Sequence, residues 1–250
     1  MSTSPDIRGA AASSVTRRRV HLWPLWATVA GLLGFAGTIV FESRPAAERE
    51  AFEKGVEYTV ISADVLGLDA FTSRLGWTAG VLSVVALLVF VGVWHRNVLR
   101  RVDSAAAAVV AAGVLASAAA LTLGYGWKGA LANYLGTESG YYDQEGLFIY
   151  YMLTDFGAYL PWLGVLVAAF AVAWMAFAER HVSRILGGVS VTFAVGLGAF
   201  MLISGVPGIP GTLMPAWLAI LGVWLAVGRS RVMQPVVPAL DPAFVRGTDR

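Results

Sequence analysis

Residues 146–186 read GLFIYYMLTDFGAYLPWLGVLVAAFAVAWMAFAERHVSRIL, an aromatic segment followed by a long apolar run and a basic end. Residues 156–178 contain no charged side chain. A helix that crosses a bilayer needs about 20 consecutive apolar residues, so this run is long enough. The sequence ERHVSR at 179–184 then ends it. We predict a membrane-spanning helix over residues 156–178.

The composition of the whole chain also indicates a membrane protein. Of the 250 residues 57% are hydrophobic and only 14% are charged, and the mean hydropathy is +0.68. Soluble domains carry about 25% charged residues. The chain contains no cysteine, which excludes disulfides, thiol catalysis and thiolate metal sites. These values predict an integral membrane protein.

Five further apolar runs flank the first, and together they predict an all-α bundle of six transmembrane helices. The predicted spans are 23–41, 75–94, 105–124, 156–178, 185–204 and 213–228. Two long outer loops, 42–74 and 125–155, are expected to form a cap. Within the first loop, residues 45–54 follow a Ser-Arg-Pro start signal and predict a short surface helix. The polar tails, 1–22 and 229–250, are predicted to be disordered and cytoplasmic.

The distribution of lysine and arginine predicts the orientation, because cytoplasmic segments are enriched in both. With both termini inside, thirteen of these residues lie on the inner side and five on the outer side. The five outer residues are Arg44, Arg49, Lys54, Arg74 and Lys128. The predicted topology therefore has multiple passes and both termini in the cytoplasm. The plasma membrane of a bacterium is our expected location.

The predicted spans contain no Asp, Glu, Lys, Arg or His. Ionisable residues within a membrane usually mark ion paths or ligand sites, so their absence weighs against proton-coupled transport. The three histidines lie at the inner boundary, which weighs against haem in the bundle. The letters GYGWKG at 124–129 match a dinucleotide fingerprint, but they follow a membrane helix rather than a strand. We predict no catalytic residue, metal, cofactor or nucleic-acid partner.

Acidic side chains are concentrated in the two predicted outer loops, which also contain tyrosine and tryptophan. Such surfaces bind cations, sugars or peptides, although a solvated face with interfacial aromatic residues has the same composition. Asp155 has two interpretations. If residues 147–154 form a separate interfacial helix, which we favour, Asp155 is the N-cap of the fourth span. If these residues continue the fourth span, Asp155 is a buried acid that pairs with Lys128. The candidate ligand-binding residues are Asp155, Lys128, Trp127, Tyr151, Asp143 and Glu145.

Two further patterns concern packing. The third and fifth spans are rich in Ala, Gly and Ser, which allow membrane helices to approach closely. They predict packing within the bundle, with the third span in its interior, or contact with a protein partner or a second copy. The inner loops share the spacing Arg-x-Val-x-Arg at 96–100 and 180–184. This similarity indicates a repeated helical hairpin, or only the common basic character of inner loops.

From residue 155 onward the chain resembles uncharacterised actinobacterial multi-pass membrane proteins. The matching segments are DFGAYLPWLG, ERHVSRILGG, GVPGIPG and PAWLAILGVWL. The resemblance implies a six-helix membrane protein and no particular activity.

Three classes of function follow from these patterns. The first is a binding or accessory membrane subunit that acts through its outer acidic and aromatic cap and contacts the lipid bilayer. The second is a permease-type transport subunit, although no coupling residue is evident. The third is a membrane enzyme that uses outer carboxylates, which would require two carboxylates converging in a closed cleft. We rank them in that order.

Overall fold

The computed structural model describes residues 21–136, 140–228 and 230–233, and these form eight α-helices and no strand. Turns of π-helix extend the first and third helices, over Ala36–Val40 and His95–Leu99. Turns of 3-10 helix cover Ser62–Gly67, Leu160–Trp162 and Arg231–Met233. The helices are α1 (Leu25–Phe35), α2 (Ala46–Glu53), α3 (Ala70–Trp94), α4 (Ala105–Leu135), α5 (Gln144–Tyr159), α6 (Leu163–Phe177), α7 (Arg184–Ser204) and α8 (Pro210–Val227).

Five helical segments are long and apolar enough to cross a membrane. They are Ala70–Leu99, Ala105–Leu135, Gln144–Phe177, Arg184–Ser204 and Pro210–Val227. The first predicted span corresponds to a shorter apolar helix, Leu25–Val40. The chain is therefore an all-helical protein of the multi-pass membrane class. The predicted surface helix at 45–54 is also confirmed, as α2.

The predicted loop 125–155 is mostly helical, which corrects the sequence-based boundaries. We expected the third span to end at 124, but α4 continues to Leu135. We expected the fourth span to begin at 156 unless residues 147–154 continue it, and these residues are part of α5, which starts at Gln144. Hydropathy marks where a helix becomes polar, whereas the helix ends only where its backbone is interrupted or capped. Here α4 ends at Gly136, and the Asp143 carboxylate caps α5 by accepting a 2.9 Å hydrogen bond from the Gly146 N–H.

Helix α4 packs against three other helices, α3, α5 and α6, but it is not the most enclosed helix of the bundle, because its membrane-length window is 44% buried and that of α8 is 61% buried. The small residues of α4 allow the backbones to touch. A Cβ atom built on Gly113 would lie 2.4 Å from the Gly164 carbonyl oxygen, and one on Gly124 would lie 1.8 Å from that of Gly157. Only glycine fits at such crossings. The small face of α4 is therefore used within the chain.

Pro161 interrupts the long helix formed by α5 and α6. The side chain of Ser117, on α4, bridges the break. Its hydroxyl donates a 2.7 Å hydrogen bond to the Pro161 carbonyl and accepts a 3.0 Å bond from the Val165 N–H. These two backbone groups would bond each other in a regular helix. Proline is tolerated here because a neighbouring helix satisfies the freed groups.

Helix α1 is held between α3 and α8. The Thr28 hydroxyl donates a 3.2 Å hydrogen bond to the Ala219 carbonyl on α8. The buried Ser83 hydroxyl on α3 donates a 2.7 Å bond to the Ala30 carbonyl on α1. These contacts hold the first half of α1, and the π-helical turn that extends this helix carries part of the candidate site.

The two hairpins with the Arg-x-Val-x-Arg spacing differ in structure. Residues 95–99 form a π-helical turn, whereas Arg180 adopts the left-handed backbone conformation, with φ of 58°. The acids that precede the hairpins also differ, because Asp69 caps α3 and Asp155 lies inside α5. The two connections therefore share the spacing of their basic residues but not their local backbone structure.

The predicted disordered tails lie largely outside the described residues, which exclude 1–20, 229 and 234–250. The part of the C-terminal tail that is described is ordered, which corrects the prediction. Val232 and Met233 are buried in the main core, and the Val232 N–H donates a 3.1 Å hydrogen bond to the His181 carbonyl. Two apolar side chains after Ser230 explain this ordering, because they complete the core between α6, α7 and α8.

Candidate functional site

The predicted site residues gather mostly at one end of the bundle, which we call the α2 end. Here the last turns of α1 and the segment after them approach α4 and α5. A small second hydrophobic cluster supports this end by joining the 62–68 segment to both helices. Its buried members are Val65, Leu68, Leu131, Leu147 and Tyr151.

Lys128 of α4 is buried at this end, with 1% of its surface exposed. Its ammonium group donates hydrogen bonds of 2.7 Å to the Gly37 carbonyl and 2.8 Å to the Phe41 carbonyl. These carbonyls lie in the π-helical end of α1, where the Phe41 N–H bonds to Ala36 rather than to Gly37. Lys128 therefore supplies donors that the end of α1 lacks, at the negative end of the helix dipole.

Glu42 follows α1 and accepts hydrogen bonds from two side chains. Arg44 contacts both of its carboxylate oxygens, with Nη2 at 3.1 Å and Nε at 2.7 Å. The Tyr159 hydroxyl donates a short hydrogen bond to the same carboxylate. Burial by itself would lower the pKa of Arg44, but the hydrogen bonds and the charges of Glu42 and Glu48 outweigh it and hold the pKa above its ordinary value. Arg44 therefore stays positively charged, and the carboxylate of Glu42 balances part of this charge.

Two more tyrosines fix the surrounding helices. The Tyr151 hydroxyl on α5 donates a 3.0 Å hydrogen bond to Glu48 on α2. The buried Tyr125 hydroxyl on α4 and the Thr38 hydroxyl on α1 form a 2.9 Å hydrogen bond. Together these bonds join α1, α2, α4 and α5 around the site, so that its polar groups are held on packed helices.

Asp155 lies inside α5, eleven residues after its first residue, and therefore about 16 Å along the helix. Our favoured interpretation of Asp155 as an N-cap is wrong, because the helix runs continuously through it. The predicted pair with Lys128 is not formed either. The Asp155 carboxylate makes no hydrogen bond or ion pair with any described residue, and the residue is exposed.

Asp69 shows what a capping carboxylate looks like in the same protein. It accepts hydrogen bonds from the Phe71 and Thr72 N–H groups and from the Thr72 hydroxyl. The Thr72 hydroxyl first, and then the two backbone donors, hold the pKa of Asp69 below its ordinary value. Asp155 has none of these donors, so its carboxylate is available to a group from outside the chain.

Two adjoining spaces meet at Arg44, Asp155 and Tyr159. The inner cavity, bounded also by Lys128, has a volume of about 20 Å³, which is room for about one water molecule. The second space is a groove of about 190 Å³ between α5 and the connection from α7 to α8. We call it the Asp155 groove. Its walls are formed by Arg44, Asp155, Phe156, Tyr159, Val206, Pro207, Gly208, Ile209 and Thr212.

The six predicted ligand-binding residues separate into two groups. Asp155, Lys128 and Tyr151 line the inner cavity, and Trp127 packs nearby against Gly157. Asp143 and Glu145 lie in the first turn region of α5, where Asp143 is the helix cap and Glu145 is exposed. They do not line either space.

Sequence reasoning did not single out Thr38, Glu42, Arg44 and Tyr159 as members of the site. Two sequence signals could have identified the pair formed by Glu42 and Arg44. Arg44 is an exception to the expected inner location of basic residues, and Glu42 precedes it by two positions. Glu42 and Asp155 both line the cavity, but both oxygens of Glu42 are engaged by Arg44.

The fold and this site define an all-helical multi-pass membrane protein with a polar groove at one end of its bundle. Comparisons with protein-family models, with curated proteins and with solved structures find no match to this chain. The resemblance to actinobacterial membrane proteins therefore remains a prediction. The function has to be argued from the groove itself.

Proposed function

We propose that this chain is a bacterial plasma-membrane protein with six spans, both termini in the cytoplasm and the α2 end outside as a cap. The sixth span is Leu25–Val40, which joins the five longer ones. Its 16 residues extend about 24 Å, a few ångströms less than the bilayer core, and local thinning accommodates such a difference. The excess of arginine at the opposite end supports the orientation.

Reporter fusions test this topology. A fluorescent protein that folds only in the cytoplasm is expected to be bright when fused after Gly228 and dark when fused after Gly55, because the two positions lie at opposite ends of the bundle. The measurement is whole-cell fluorescence normalised to the amount of fusion protein. Equal brightness at the two positions, or the reverse pattern, would contradict six spans with an inner C-terminus.

Within this topology, we infer that the protein is a binding or accessory subunit that takes the positively charged headgroup of an amphiphile in the Asp155 groove. The unpaired Asp155 carboxylate is the observation on which the inference depends. The charge of the surrounding site supports the inference, since the carboxylates of Glu42, Glu48 and Asp155 outnumber the cations of Arg44 and Lys128; Asp155 and Arg44 are the charged residues that line the groove itself. A carboxylate without an internal partner attracts a cationic group, which forms the charge-assisted contact that Asp155 lacks within the chain.

The walls of the groove favour an amphiphile over a small polar cation. Phe156 and Val206 present large exposed apolar surfaces beside the carboxylate. A ligand with a cationic head and an alkyl chain places its head at Asp155 and its chain along these residues. Both carboxylate oxygens of Glu42 contact Arg44. Among the described residues of the site, Asp155 is thus the one free carboxylate, which favours ligand binding over acid/base catalysis by a pair of carboxylates.

A titration with decyltrimethylammonium tests the groove. In neutral maltoside micelles, the amphiphile is expected to raise the unfolding temperature of the wild-type protein in a saturable way. Asp155→Asn is expected to weaken binding by about 10-fold to 100-fold, because it removes one charge-assisted contact. Glu145→Gln is the matched control, since this exposed carboxylate lies on the same helix outside the groove.

The fold of the Asp155→Asn protein should be intact, because the carboxylate has no partner to lose, and its stability should change by less than about 0.5 kcal/mol. Equal affinity of the wild-type and Asp155→Asn proteins for the amphiphile would disprove the proposed site.

For the accessory role, α7 is the helix that we propose to contact a partner or a second copy. Its small residues Gly188 and Gly196 have open space around them, unlike the glycines of α4 that touch α5 and α6. Large apolar residues of the same helix, including Phe200 and Leu202, are exposed. The small face of α7 is thus available for close approach by another membrane helix.

A further inference from the structure

A second polar space lies at the opposite end of the bundle, which we call the basic end. It is a cavity of about 230 Å³ lined by Ala176, Arg180, Val182, Ser183, Arg184 and Arg231. Arg180 lies in the short connection after α6, Arg184 begins α7 four residues later, and Arg231 follows α8. Two chain segments, the connection from α6 to α7 and the chain after α8, therefore converge on this space and bring three guanidinium groups to it.

The backbone around this cavity is tightly fixed. The His181 N–H donates a 2.9 Å hydrogen bond to the Met175 carbonyl, which closes the end of α6, and the His181 carbonyl accepts from Val232. The Trp224 indole donates a 2.9 Å bond to the Ser183 hydroxyl. The three arginine side chains, by contrast, are exposed. Hydrogen bonds thus hold the backbone around the cavity, and the guanidinium groups lie at the protein surface.

Arg180 occupies a position that usually belongs to glycine. Among the described residues, it is the non-glycine residue with a positive φ, 58°. At the end of a helix this conformation is normally taken by glycine, because a Cβ atom is strained there. Arginine at this position bears the backbone strain that glycine would avoid, and it adds a guanidinium group to the rim of the cavity.

The charge of the cavity is uncompensated. No Asp or Glu lines it, and no ion pair of these three arginines occurs within the described part of the chain. The neighbouring Glu179 accepts a hydrogen bond from Ser104 and lies 3.9 Å from His181 instead. Arg44 at the α2 end, in contrast, is paired with Glu42.

From this arrangement, we propose that the basic end binds the phosphate group of an anionic ligand between Arg180, Arg184 and Arg231. Arginine suits phosphate because its planar group donates two parallel hydrogen bonds to phosphate oxygens. The first turn of α7 adds the positive end of a helix dipole on the same side. This site is separate from the Asp155 groove and does not depend on it.

An anionic lipid is the favoured source of the phosphate. Phe177 and Ile185 flank the cavity at the ends of α6 and α7, and at least half of the surface of each is exposed. Basic pockets next to exposed apolar helix surface are suited to lipid headgroups. The headgroup would lie among the arginines, and its acyl chains would follow the apolar sides of α6 and α7.

The test uses the full chain in neutral micelles at physiological ionic strength, where non-specific attraction is screened. Phosphatidylglycerol and inorganic phosphate are titrated separately, and bound ligand is measured by native mass spectrometry and by thermal shift. Arg180→Gly, Arg184→Gln and Arg231→Gln are each expected to weaken binding by about tenfold, the effect of losing one charge-assisted contact. Arg180→Gly is the most informative, because it removes the charge and relieves the strained backbone, so the fold is retained.

Arg100→Gln is the matched control, since Arg100 is an exposed arginine at the same end outside the cavity. Arginine-dependent binding of phosphatidylglycerol but not of inorganic phosphate supports the site and assigns it to lipid. Comparable binding of both probes supports the site and assigns it to free phosphate. An equal loss in Arg100→Gln, or no binding of either probe, overturns the proposal.

Discussion

Gly124→Ala is expected to destabilise the bundle by about 3 kcal/mol or more, at the upper end of overpacking effects. The added Cβ atom would lie 1.8 Å from the Gly157 carbonyl oxygen, and the contacted atom belongs to a helix backbone that cannot move aside by a side-chain rotation. Helices α4 and α5 would have to separate, and the hydrogen bonds around the Asp155 site would be disturbed with them. Unfolding of the purified protein by dodecyl sulfate titration in mixed micelles measures the effect.

Gly126→Ala is the matched control for this change. Gly126 lies two residues further along α4, and a Cβ atom built there has open space around it. Alanine in a helix interior is favoured over glycine by about 0.5–1 kcal/mol, so this variant should be unchanged or slightly more stable. If both variants lose the same stability, close contact between α4 and α5 is not what holds the bundle together.

Lys128→Met is expected to cost about 3 kcal/mol, because it leaves one buried and one partly buried carbonyl group without their donor. The methionine side chain fills a similar volume, so the loss should come mainly from Gly37 and Phe41 at the end of α1. Protease sensitivity near residues 41–45 should rise together with the loss of thermal stability, since the end of α1 is no longer held by α4.

Lys54→Met provides the comparison for this prediction. Lys54 forms a 2.6 Å ion pair with Glu50, but both side chains are largely exposed. Exposed pairs of this kind contribute less than about 0.5 kcal/mol. A Lys128→Met protein as stable as Lys54→Met would show that the Lys128 ammonium is not needed at the end of α1.

The sequence predicted the helical class well because hydropathy and run length are local properties. All six apolar runs correspond to helices, and five of these reach the length of a span. The boundaries were wrong where a helix passes from apolar to polar residues. The segment around Lys128 was predicted as a loop because it is polar, yet α4 continues through it to Gly136. For the segment before Asp155 the sequence allowed either a separate interfacial helix or a part of the fourth span, and this segment belongs to α5, which begins after the capping acid Asp143.

The candidate site was predicted only in part, for a related reason. Asp155 and Lys128 stand out in the sequence because they border apolar runs, and both line the same cavity. Their partners do not stand out. Lys128 binds Gly37, which lies 91 residues away, and Tyr159 binds Glu42 at a separation of 117 residues. Such pairs depend on how helices cross, which a single sequence does not reveal.

The sequence by itself therefore determined that the chain is a helical protein with several membrane-length helices, since apolar content and length are enough to establish that class. Tertiary structure alone decided which charges are paired. It joined Glu42 to Arg44, placed Lys128 on the end of α1 and left Asp155 unpaired beside the groove. It also brought Arg180, Arg184 and Arg231 around one cavity. The physical reason is that a charge acquires its partner through the packing of distant helices, whereas a helix forms from the residues next to each other in the chain.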